Sequence, residues 1–164
     1  MIRVILSCLS LFTLLSSLYS YAETLPFENG GMVCGSYLAK DDVLSRYYDD
    51  MREGRTVDLK RNVFSEHGLV TGVNLNDQYL TLTPKAFADD ILTKLHQHGF
   101  VERETCRVSN TDYVNDLSVV VSRYVNFFPD TPNEITYGIK VVTINRKANR
   151  ITTMSWKDLG KIKL

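Results

Sequence analysis

Thr83-Pro84-Lys85-Ala86-Phe87-Ala88-Asp89-Asp90-Ile91-Leu92-Thr93-Lys94-Leu95-His96-Gln97-His98-Gly99 is the stretch at which the chain changes its period. Thr83 offers a side-chain oxygen to the first free amides of a helix, and Pro84 suits the first helical position. Phe87, Ile91, Leu92 and Leu95 recur at helical spacing, and Gly99 stands where a left-handed residue closes a helix. The spacing predicts a helix over 84–98. Beyond Gly99 the pattern alternates with period two, which predicts strands over 100–108, 117–128, 135–145 and 150–157. The last two read as a hairpin through Arg146-Lys147-Ala148-Asn149, with a turn-rich break over 109–116 and a loop over 129–133.

Upstream, Val43, Leu44, Tyr47, Tyr48 and Met51 form one apolar stripe on a helix expected from about Tyr37 to Arg52. Asp41, Asp42, Arg46, Asp49, Asp50 and Arg52 take the wet side, and Gly54 ends the helix. A shorter helical piece from Thr56 carries Leu59, Val63 and Phe64 and is expected to close at Gly68. Two short strands, 69–73 and 78–82, flank the turn residues Asn74-Leu75-Asn76-Asp77. Helices first and consecutive strands later make an α+β domain, its sheet closed on one side by the helices.

Nineteen basic residues balance nineteen acidic ones among 164, and 44% of the chain is apolar. That neutrality excludes the basic footprint of a nucleic-acid binder and the polybasic segment of a membrane-surface protein. The first 22 residues have the layout of a secretory signal peptide: Arg3, an uncharged apolar run from Val4 to Leu18, and the small residues Ser20 and Ala22 before the expected cut. The run is short for a bilayer span. A retained anchor is the alternative, and Cys8 sits inside the run with no hydrophobic region of adequate length before it for a lipoprotein signal. Export then makes Cys34 and Cys106 a disulfide candidate, with two buried thiols as the alternative. The three histidines, His67, His96 and His98, show no metal-ligand spacing.

The order of elements carries a resemblance. The helix with Val43-Leu44-Ser45-Arg46-Tyr47-Tyr48, the short Val57-Asp58-Leu59 piece leading to Phe64-Ser65-Glu66-His67-Gly68, the helix after Pro84, and long strands ending in Arg150-Ile151-Thr152-Thr153-Met154-Ser155-Trp156 resemble the nuclear transport factor 2-like superfamily, with its SnoaL-like and ketosteroid isomerase-like members. In that group the last strand carries a tryptophan packed at the sheet, which Trp156 matches. The resemblance implies a single domain over 37–164 behind an extended arm, 23–36. It implies a cone-shaped, cystatin-like α+β roll, a curved and mostly antiparallel sheet wrapped around the helices with a cavity between. The Cys34/Cys106 pair and the 127–133 connection depart from the pattern, and no catalytic motif of a particular enzyme branch is present.

Within such a cavity the expected ligand-binding residues are Tyr47, Tyr48, Arg123, Tyr124 and Trp156. Along 117–128 the odd positions are apolar except for Arg123. Its planar fork would anchor a carboxylate or phosphate ligand, or else it reaches the sheet rim along its stem. His67 and Arg123 are the catalytic candidates, since imidazole exchanges protons near neutral pH; a solvated turn histidine is the alternative. His96 and His98 are accounted for by the helix C-terminus, and Asp112 and Asp116 by a solvated turn.

G-x-S-x-G, Walker, G-x-G-x-x-G and H-E-x-x-H motifs are absent from the sequence. No cofactor and no metal are expected. Two functions follow. One is an exported, periplasmic or secreted, non-catalytic module whose partner is a small apolar or amphipathic ligand or a protein, with a homodimer through the sheet as a further option, no nucleic acid, and no stable membrane insertion after cleavage. The other is a cofactor-independent isomerase, dehydratase or hydrolase, which requires at least two titratable groups to converge in the cavity.

Overall fold

The computed structural model describes residues 42–131 and 133–163. The expected signal peptide, the arm and Cys34 lie outside the described residues. Helix α1, Val43–Glu53, starts where the Asp42 side chain accepts the Ser45 amide at 2.8 Å and stops at Gly54, whose φ of 69° permits the left-handed cap. Its stripe of Val43, Leu44, Tyr47, Tyr48 and Met51 is buried. Asp50, expected on the wet side, is buried too, because Arg55 Nε donates to its carboxylate at 2.7 Å.

Helix α2 runs over 56–63, its last turn widened to π geometry, and buries Leu59 and Val63. Strand β1, Phe64–Val73, follows directly. Gly68 therefore does not close a helix; it sits inside β1, next to a register shift between Phe64 and Leu69. A Cβ there would stand 2.9 Å from the Thr152 carbonyl, so the position keeps the backbones close rather than ending an element. Strand β2, Tyr79–Leu82, pairs antiparallel with β1.

Helix α3 spans 84–97, with Thr83 capping the Ala86 amide at 3.2 Å and Gly99 at φ 74° after its end. Strands β3 (Val101–Asp112), β4 (Leu117–Phe127), β5 (Glu134–Asn145) and β6 (Arg150–Lys163) complete the chain. The expected break over 109–116 shrinks to residues 113–116, and β6 runs past its expected end at 157. Pairing with β4 and β5 supplies the backbone partners that extend both strands, which local turn composition cannot reveal.

The six strands form one sheet in the order β2-β1-β6-β5-β4-β3, antiparallel throughout except for the β1–β6 pair. Val120, Tyr124, Val142, Ile144, Ile151 and Met154 from the sheet join the buried faces of the helices in one core. On β4 the core-facing residues are the even ones: Tyr48 and Ser122 share a hydrogen bond of 3.1 Å, and Asn126 opens onto a cavity. The more apolar odd set, Arg123 included, points the other way, since side chains alternate along a strand. The inward face is the more polar one because it supplies the base of that cavity.

Candidate functional site

Three cross-strand rows build the cavity base. Glu102, Asn126, Thr136 and Lys161 are register partners across β3, β4, β5 and β6, and all four line the cavity. The next row is Tyr124, Gly138 and Asp158; the third is Ser122, Lys140, Trp156 and Gly72, ending on β1. A bulge at Leu159 lets Asp158 and Lys161 share a face although they stand three positions apart. The opposite wall is apolar: Met51 from α1, and Phe87, Ile91, Leu92 and Leu95 from α3, with Phe100 and Phe128 beside them. Asn74, Leu75 and Asn76 of the β1–β2 turn complete the enclosure, whose volume is about 510 Å³.

Two glycines make this geometry possible. A Cβ on Gly72 would lie 2.1 Å from the indole of Trp156, so only glycine lets that ring lie flat over β1 and meet Phe87, with ring centroids 5.6 Å apart. A Cβ on Gly138 would stand 2.4 Å from Tyr124 Oη. Without it, the Tyr124 phenol crosses β5 and donates to Asp158 Oδ1 on β6 at 2.6 Å.

At the inner end of the cavity sits Lys140, 1% exposed. Its Nζ pairs with Glu102 Oε1 and donates to Tyr47 Oη at 3.1 Å, while Tyr47 Oη donates to the same Glu102 oxygen at 2.9 Å. The ammonium lies over three tyrosine rings, 4.6 Å from the centroid of Tyr47, 5.1 Å from Tyr48 and 4.7 Å from Tyr124. Cation–π attraction strengthens where water is excluded. Burial pushes Lys140 below its ordinary pKa, and the Glu102 carboxylate pulls it back up. Burial raises Tyr47 and Tyr48 well above the phenol range, with the Glu102 charge adding to it, and raises Tyr124, with the Asp158 hydrogen bond next. All three phenols are neutral, and Tyr47 and Tyr124 donate to carboxylates. Burial also raises Asp158, against the hydrogen bond from Tyr124.

Of the residues expected from sequence, Tyr47 and Trp156 line the cavity. Tyr48 and Tyr124 do not reach its surface; they brace Lys140 and Asp158 from behind. Arg123 is buried on the other face of β4, and His67 is exposed on β1; neither lines the cavity. His96 does more than complement a helix end, since its Nε2 lies 2.8 Å from the Met51 carbonyl and ties α3 to α1. Asp112 is an ion-pair partner of Arg146 at 2.6 Å and accepts from Ser118 Oγ, also at 2.6 Å, rather than a purely solvated turn residue. Glu102, Lys140 and Asp158 were not legible as site residues. Among the described residues, no group of three or more His, Cys, Asp or Glu side chains is arranged to hold a metal ion, and no helix is long and apolar enough to cross a membrane.

No family model and no curated protein matches the sequence. Solved structures do match in shape. One is a nuclear transport factor 2-like protein with a cystatin-like fold from Novosphingobium aromaticivorans, at TM-score 0.55 and 15% identity over 71% of this chain and 77% of that one. The Kfla4162 protein of Kribbella flavida matches at TM-score 0.59 and 13% identity, covering 73% and 87%. An LEH-like epoxide hydrolase of M. tuberculosis matches at TM-score 0.51 and 5% identity, covering 71% and 80%. The chain therefore has the nuclear transport factor 2-like, cystatin-like fold, an α+β architecture shared by enzymes and by proteins of unknown function. At these identities the likeness defines the fold, and function must be argued from the site.

Proposed function

We propose that this protein binds one small amphipathic molecule in the cavity between α3 and the sheet. The observation that carries the reading is the division of the enclosure into an apolar wall and a polar base: Phe87, Ile91, Leu92 and Leu95 face Asn126, Thr136, Lys140 and Asp158. A volume near 510 Å³ suits a molecule of drug size, since such pockets run to about 300–1,000 Å³. The apolar body would lie against α3 and Trp156, and the polar end would replace water at Asp158 and Lys161.

Trp156 is the chain's only tryptophan, so its emission reports occupancy directly. Titration with fatty acids, sterols and aromatic carboxylates is expected to give a saturable change for at least one class. A flat response to all three, together with native mass spectra free of any copurified ligand, overturns the reading.

A second reading, acid–base catalysis without a cofactor, is favoured by the convergence of Glu102, Lys140 and Asp158 on one cavity. Asp158 would accept a proton, and Lys140 or Tyr47 would stabilise negative charge developing on a substrate oxygen. His67 and Arg123 have no part in this version.

Export, and a bridge between Cys34 and Cys106, belong to the same proposal. Cys106 is buried on β3. Expressed with its leader, the protein is expected to lose residues 1–22 and to resist alkylation until reduced. Two thiols alkylated without reductant would remove the bridge. Protein partners, among them a second copy against the outer sheet surface, remain the occupants to seek if the cavity proves empty.

A further inference from the structure

We infer that Lys140 is a covalent amine for carbonyl compounds: an aldehyde or ketone entering the cavity condenses with its Nζ to form an imine. The inference rests on the reading of the enclosure as a small-molecule site and adds the substrate class.

Three features of the geometry carry it. Lys140 lines a cavity that has an apolar wall opposite it, so the nucleophile and an apolar carbonyl compound would share one space. Its Nζ has a proton acceptor in contact, Glu102 Oε1, and a hydroxyl, Tyr47 Oη, 3.1 Å away that touches the same carboxylate oxygen. Its four-carbon stem is flexible where the planar fork of an arginine is fixed, so a rotation of the stem would carry the nitrogen from the tyrosine cage to an entering carbonyl. A structural ion pair needs only the first partner. An amine that must lose, pass and regain protons needs the complete set.

The step balances without an oxidant or reductant. The ammonium gives one proton to Glu102, and the neutral amine attacks the carbonyl carbon, forming the C–N bond as the C=O π pair moves to oxygen. Tyr47 relays a proton from nitrogen to that oxygen, giving a carbinolamine. Glu102 returns its proton to the hydroxyl, water leaves, and the nitrogen lone pair closes the C=N bond. The product is a protonated imine beside the Glu102 carboxylate, with the same charges as at the start. Burial favours the neutral amine, while Glu102 on β3, Asp158 on β6 and Glu104 on β3 oppose it; Tyr47 and Tyr48 of α1 and Tyr124 of β4 face the group as neutral phenols.

The test uses the folded wild-type protein at pH 7 with hydrocinnamaldehyde and cyanoborohydride, which fixes an imine as a secondary amine, followed by peptide mapping. A lysine side chain free in water has a reference pKa near 10.4 and holds about one neutral amine in a few thousand at that pH. Lys140 is expected to label at least about tenfold faster than any exposed lysine. In Lys140→Arg, which keeps the charge beside Glu102, that label disappears while the exposed lysines label as in wild type. If Trp156 responds saturably but Lys140 labels no faster than exposed lysines, the imine is overturned and the cavity reading stands. If neither Trp156 responds nor Lys140 labels, the imine is overturned, and the cavity reading falls with it when the three ligand classes above also give a flat response and native mass spectra are free of copurified ligand.

Discussion

Two charge clusters are buried on β3 within five residues of each other, and they differ in what lies opposite. Arg107, 2% exposed, spends its fork on carboxylates: Nε and Nη2 donate to the two oxygens of Glu104 at 3.1 and 3.0 Å, and Nη1 pairs with Asp42. Asp42 caps α1, so this cluster fastens β3 to the start of a helix. Lys140 is as deeply buried, yet its direct polar partners are one Glu102 oxygen and one phenol, and the space beyond is a cavity. A cluster closed by planar bidentate geometry serves the fold. One built from a point charge, a shared oxygen and three aromatic faces leaves chemistry available.

The contrast is most sharply tested by Arg107→Met. It strands Glu104 in the interior and loosens the α1 cap, and is expected to cost about 3–5 kcal/mol in urea unfolding. The paired change Lys140→Met with Glu102→Leu removes both charges at once. It is expected to lie within about 1–2 kcal/mol of wild type, or to stabilise. Equal losses in the two variants would break the distinction.

Gly72→Ala comes next. Its methyl meets the Trp156 indole, the strand cannot yield without moving β6, and a loss of about 1–3 kcal/mol is expected, with a shift of the Trp156 emission maximum.

The smallest effect is one of pH. Burial raises Asp158 above its ordinary 3.8, so over a window starting near that value the folded protein holds a proton that the unfolded chain has lost. Stability from this group is present below the window and falls as pH rises through it. Asp158→Asn is expected to flatten that fall, by less than about 1 kcal/mol because the group is only half-buried and still screened by water. Unfolding curves of both proteins taken between pH 4 and 7 would check the sign; a steeper fall in the variant would reverse the assignment.

Much of the fold was legible because its signals are local. Thr83, Pro84 and Gly99 bound α3, Gly54 ends α1, and the stripe from Val43 to Met51 is buried as its spacing requires. The candidate site was less so. Period two divides β4 correctly into odd and even sets but does not say which set faces inward, and the more apolar set faces away from the cavity. On β5, Lys140 shares its face with Val142 and Ile144, while the opposite face carries Ile135, Ile139 and Val141, so neither face announces itself as the core. Asp158 and Lys161 share a face only through the Leu159 bulge, which no spacing rule anticipates.

By itself, then, the amino-acid sequence determined the helices, the number and order of the later strands, the neutral charge balance and the tryptophan that ends up beside the cavity, since each follows from nearest-neighbour stereochemistry and burial period. Register, bulges and the missing Cβ atoms of Gly72 and Gly138 were decided by tertiary structure. Glu102 and Lys140 stand 38 positions apart in the chain, and only strand pairing brings their charges into contact.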